Sequence, residues 1–335
     1  MREMKRRKAV TFVAIAAMLL LGAMTATAAD TSYHVVATYK VGAGSPGGIQ
    51  LDAEARRIYL AHGDRVDVLD ADTGKKVGEI AAKGANDIAL AAEFKHGFAS
   101  NGSDNTVTMF DTATLKVLKT IKLDGKTPDA MVYDGGSKRV FVAERGSGTV
   151  AAIDPATGDV MATSARLGGE LRGMATNGYG DLYVAAEDKN VVHVVDTKTL
   201  GALGDFPVGS GEGPTGLAID AMGRRLFVAC KNGTMPVIDT DIGFTFEELP
   251  MGTGEAGDTF TFAPQGKGGW KGAIFVASAD GTLSIERMLA FISYEAGTKV
   301  TLAKGIHAVA YDPKTHRVFV PAMSGNEAVI LAVGQ

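Results

Sequence analysis

Residues 139–158 read RVFVAERGSGTVAAIDPATG: an apolar run, a Gly-rich turn, a second apolar run ending at Asp154, and a tight turn closed by Gly158. Alone, this is a β-hairpin followed by the start of another strand. The same paragraph recurs along the chain. Runs aligned with RVFVA start at residues 57, 96, 139, 181, 225, 273 and 317, spaced by 39, 43, 42, 44, 48 and 44 residues. That period suits a four-stranded propeller blade, and no stretch sustains a 3.6-residue apolar pattern.

Each repeat supplies its strands in order. A first strand precedes the aligned run: IQLD (49–52), IALA (88–91), MVYD (131–134), MATN (174–177), LAID (217–220), FTFA (260–263) and VAYD (309–312). Third strands end at Asp70, Asp111, Asp154, Asp196 and Asp239, where a carboxylate can accept backbone N–H groups two residues on and fix the turn into strand four. Fourth strands such as KVLKTIKL (116–123) alternate apolar and charged residues, and their lysines guard an exposed edge. The seventh repeat stops after three strands, and YHVVATYKVG (33–42) at the other end of the chain resembles its missing fourth. The prediction is an all-β, seven-bladed β-propeller with four antiparallel strands per blade. Its ring closes by the N-terminal strand joining the C-terminal blade. Blade six departs from the pattern: its turn is expanded by PQGKGGWKG (264–272), which includes Trp270, and its third strand is read as ending at Glu286.

Residues 1–28 stand apart. Arg2, Lys5, Arg6, Arg7 and Lys8 precede an apolar run from Ala9 to Met24 and a small-residue end at Ala26–Ala28. This is the pattern of a secretory signal peptide cleaved after Ala28 or Ala29, with an uncleaved anchor as the alternative. The expected organisation is a signal peptide over 1–28 and one propeller domain over 29–335, periplasmic or secreted and monomeric. Without residues 1–28, 29 Lys+Arg stand against 37 Asp+Glu, a balance unsuited to general nucleic-acid binding. The single cysteine, Cys230, follows LFVA and reads as a small buried hydrophobe, so no internal disulfide is expected.

The segment 105–158 resembles the YVTN family of seven-bladed β-propeller repeat proteins. The carrying motifs are RVFVAE, LYVAAE and LFVACKN together with the pattern T-V-x-x-x-D-x-x-T-G, although the tetrapeptide YVTN is not present. The resemblance spans residues 33–335. It implies an exported propeller used for binding, or as a surface or periplasmic module, and supplies no reaction.

Function should lie where the repeats differ. One aligned position before strand one holds Gly47, Asn86, Asp129, Arg172, Thr215, Asp258 and His307, a mixed polar ring expected around the channel mouth. The next position is mostly small: Gly48, Asp87, Ala130, Gly173, Gly216, Thr259 and Ala308. Neighbouring members could pair, Asp129 with Arg172 and Asp258 with His307, or hold a small anionic or polar ligand through Arg172 and His307. A wider ring of loop residues, His62, Asn101, Glu144, Arg145, Glu187 and Lys231, is expected to be solvated, with Glu144 and Arg145 as candidates inside the opening stretch. Asp129, Asp258, Asn86 and His307 are metal-ligating types, but they come from four separate blades around a wide mouth, and no CxxC, HExxH or calcium loop is present. No GxSxG, CxxCH or Walker motif occurs either, so no cofactor is assigned. The reading is a non-catalytic binding or scaffold protein engaging a small polar ligand or a protein partner. The alternatives are a lactonase-like hydrolase in the channel, with His307 and Asp258 as the first pair to test, and an accessory to a dehydrogenase or to metal uptake.

Overall fold

The computed structural model describes residues 33–262, 272–290 and 293–335. The signal-peptide segment and the insertion around Trp270 therefore lie outside the described residues. The rest forms seven four-stranded antiparallel sheets arranged as a propeller, with two single-turn 3₁₀ segments at Ala92–Phe94 and Glu187–Lys189. Among the described residues no helix is long and apolar enough to cross a membrane.

Blade three shows how the sequence builds the unit. Its inner strand, Pro128–Asp134, pairs with Arg139–Glu144, which pairs with Thr149–Ile153, and the outer strand is Val160–Thr163. The opening stretch is thus the second and third strands of one blade. Burial follows radial position: the second strand is buried from Val140 to Glu144, while the outer strand is mostly exposed. Second and third strands are covered on both faces by neighbouring sheets, so both faces must be apolar.

Asp154 Oδ1 accepts the N–H groups of Ala156 and Thr157, and Asp70, Asp111 and Asp196 do the same for their own turns. Hydrogen bonds from Thr114 and Thr199 hold the Asp111 and Asp196 carboxyls below the ordinary range. Blade six differs here from the sequence expectation. Its third strand continues through Glu286 to Ala290, so Glu286 sits mid-strand, buried, and accepts the Gly297 N–H instead of capping a turn.

The apolar core is a ring of interfaces. Phe98, Val107 and Met109 of blade two meet Val140, Val142 and Ile153 of blade three, and six further clusters fill the other contacts between neighbouring blades. Each second strand contributes one fully buried aromatic: Tyr59, Phe98, Phe141, Tyr183, Phe227, Phe275 or Phe319. The ring closes as the repeats predict. His34–Ala43 pairs antiparallel with Glu327–Gly334, becoming the outer strand of blade seven.

Candidate functional site

The loops between strands two and three lie against the connectors leading into the inner strands, as in the bonds from Gly102 N to Gly84 O, Arg145 N to Thr127 O and Lys231 N to Gly213 O. Together they rim a cavity of about 730 Å³ at one end of the channel, whose wall includes Asn86, Asp129, Arg172, Thr215, Glu255 and His307.

A backbone irregularity aims these side chains. In blades one to five the inner strand carries an extra residue relative to its partner, between Pro46 and Ile49, Ala85 and Ile88, Pro128 and Met131, Leu171 and Met174, and Pro214 and Gly216. Gly47, Asn86, Asp129, Arg172 and Thr215 all fall inside these bulges. A bulge leaves a residue out of the ladder and turns its side chain away from the sheet faces, here toward the channel. Blade six has no such bulge: Ala256, Gly257 and Asp258 pair continuously with Ser278, Ala277 and Val276. Asp258 therefore takes the register position of Leu217 rather than that of Thr215, two residues from its expected place, and Glu255 lines the mouth instead. His307 is on the wall.

The small residues beside the ring mark close approaches between blades. A Cβ on Gly173 would lie 2.6 Å from Thr215 O, and one on Gly257 would lie 2.5 Å from His307 O. Several ring residues staple neighbouring blades together. Asn86 Nδ2 donates to Pro128 O at 3.0 Å, and Thr215 Oγ1 both donates to Ala256 O and accepts from Ala256 N.

Arg172 is the hub. Its Nε donates to Glu187 at 2.6 Å, and its Nη1 lies 3.2 Å from Glu255 and 3.5 Å from Asp129. The expected Asp129–Arg172 pair thus exists within a larger network that reaches to blade six. Burial opposes the Arg172 charge, but Glu255, Glu187 and Asp129 outweigh it and raise its pKa. Glu187 is also bound by Lys231, and Arg145 joins Glu170 at 3.1 Å and Asp129 at 3.9 Å. For Asp129 burial prevails over the two arginines, so its pKa is raised.

Three members of the wider ring are not solvated. His62, Asn101 and Glu144 are buried. Glu144 accepts the Gly125 N–H at 2.9 Å and the Thr149 hydroxyl at 2.6 Å, so its carboxylate holds the blade together and is not presented to the mouth. A carboxylate at the end of a buried strand can satisfy a tight connector, and that need, invisible in strand periodicity, explains its burial.

Asp87 is the residue that reasoning from the repeats undervalued. It stands in the column of small residues and lines the cavity. Its Oδ2 accepts the Met131 N–H at 2.8 Å, and a Cβ on Gly48 would come within 2.1 Å of Oδ1. It is partly exposed on the cavity wall, and burial, outweighing the backbone donors of Met131 and Ile88, pushes its pKa up to about 6. The signal was present: it is the one charged residue in that column.

Fold and cavity define the class, a seven-bladed β-propeller with a polar channel mouth. No protein-family model and no curated protein matches the chain.

Proposed function

We propose that the protein is an exported, non-catalytic binding module of the YVTN-repeat kind, which engages a small polar ligand or a protein partner through the channel mouth. The observation that carries this reading is the contrast between wall and frame. Strands, turns and inter-blade cores repeat from blade to blade, whereas the bulge residues Asn86, Asp129, Arg172 and Thr215 differ in every blade and face one cavity. Asn86 and Thr215 also tie neighbouring blades together, but packing does not require the charged Asp129 and Arg172, and charged groups on a cavity wall point to recognition. Export rests on the basic and apolar pattern of residues 1–28.

The test is equilibrium dialysis of the protein against the polar small-molecule extract of its own cells, followed by mass spectrometry of what is retained. Wild type should retain compounds whose retention changes at least tenfold in Arg172→Ala and in Asp129→Asn, each shown folded by circular dichroism. Equal retention by all three proteins would refute the mouth as the site.

A further inference from the structure

The class of ligand follows from which wall groups are already engaged, given the mouth-binding reading above. Arg172 holds Glu187, Glu255 and Asp129, Arg145 is shared between Glu170 and Asp129, and Lys231 is held by Glu187. An incoming anion would have to displace carboxylates already seated on these cations. On the wall itself the carboxylates Asp87, Asp129 and Glu255 outnumber the cations Arg145 and Arg172. Asp87 is the decisive member: it has no ion-pair partner among the described residues, only backbone donors, although it is largely withdrawn from water on the cavity wall. An unpaired carboxylate in such a place is costly unless something positive comes to it.

The neutral groups point the same way. Asn86 Nδ2 is held by Pro128 O, which fixes the amide with Oδ1 able to accept. His307 Nδ1 lies 3.0 Å from Gly305 O; a carbonyl can only accept, so Nδ1 carries the proton and Nε2 of the neutral ring offers a lone pair. The mouth thus presents acceptors and negative charge.

We propose that the mouth binds a small organic cation that donates hydrogen bonds, a protonated amine or guanidinium, held by Asp87 and by Asp129, whose arginine contacts are the longest of the network at 3.5 and 3.9 Å, with Asn86 and His307 as neutral acceptors. A bare metal ion is the poorer fit, because among the described residues no three His, Cys, Asp or Glu side chains converge as metal ligands would. A cavity of about 730 Å³ has room for a molecule that spans separated acceptors.

Isothermal titration of the exported protein with putrescine and agmatine tests this, with tetramethylammonium, glucose and succinate as comparisons. At pH 7.5 a diamine or agmatine should bind saturably and tetramethylammonium, which has no donor, at least tenfold more weakly. Asp87→Asn and Asp129→Asn should each weaken binding at least tenfold. Lowering the pH to 5 should do likewise as Asp87 takes up its proton; Asp129, whose pKa burial also raises, and Glu255, His307, Arg172 and Arg145 face the same cavity. Saturable binding of succinate or glucose, without the amines, would overturn the cation assignment and leave mouth binding standing. No heat from any amine would overturn the assignment too, and the dialysis result would then decide mouth binding on its own.

Discussion

Asp87 stores a cost that titration can read. Its folded-state pKa of about 6 lies above the 3.8 of an unperturbed aspartate, so the folded protein keeps a proton that the unfolded chain has lost between those values. Stability from this group is therefore lost as pH rises from about 4 to 6, and the penalty persists above that. Asp87→Asn removes the charge and keeps an acceptor for the Met131 N–H. It should be more stable than wild type at pH 7.5, by on the order of 2 kcal/mol, and much closer to it at pH 4. Urea unfolding at the two pH values measures both, and an unchanged difference between them would contradict the burial argument. Single residues are where the sequence is hardest to read. Arg172 and Asp129 stand out by type, and so does their pairing, but Glu144 reads as a loop carboxylate until its bonds to Gly125 and Thr149 are seen. Whether a carboxylate faces water or a connector depends on the next segment's path, which strand periodicity does not encode.

At the scale of elements, ring closure rests on more than the N-terminal strand. Arg56, in the first turn of blade one, grips Asp312 of blade seven with Nη1 to Oδ1 at 2.9 Å and Nη2 to Oδ2 at 2.7 Å, and also holds Asp72. Asp312 is fully buried. Burial pushes its pKa up, but Arg56, Thr315 and the Lys314 N–H outweigh this and bring it to about 2. That stability is present above about pH 4 and lost as pH falls toward 2. Arg56→Ala leaves a buried carboxylate without its partner and should cost about 3 kcal/mol at neutral pH, read by chemical denaturation. A loss below about 0.5 kcal/mol would show that closure rests on the strand pairing and apolar contacts alone. The seven blades, the Asp-capped turns and the closing strand were legible because each recurs at a fixed spacing. Blade six was not: it lacks the inner-strand bulge, so the register puts Asp258–Thr261 where the repeat pattern puts FTFA. A bulge adds one residue without a signature of its own, and only its side-chain direction reveals it.

For the whole molecule, seven inter-blade cores form a closed frame, and the bulge residues of several blades meet at one mouth. The mouth was partly legible, since positions that differ among repeats were the ones sought. Glu255 was missed because it lies in a connector, GTGEAG, that reads as a turn, and Asp87 because its neighbours in the column are small. Hydrogen exchange of the protein, with and without the polar small-molecule extract of its own cells, tests most directly whether recognition occurs at this mouth. Exchange should slow at Met131, Gly173 and Gly257 on the channel wall, with the turns at the other end of the blades, such as Gly135–Lys138 and Ala221–Arg224, unchanged. Protection confined to those turns or to the outer strands would contradict recognition at the mouth.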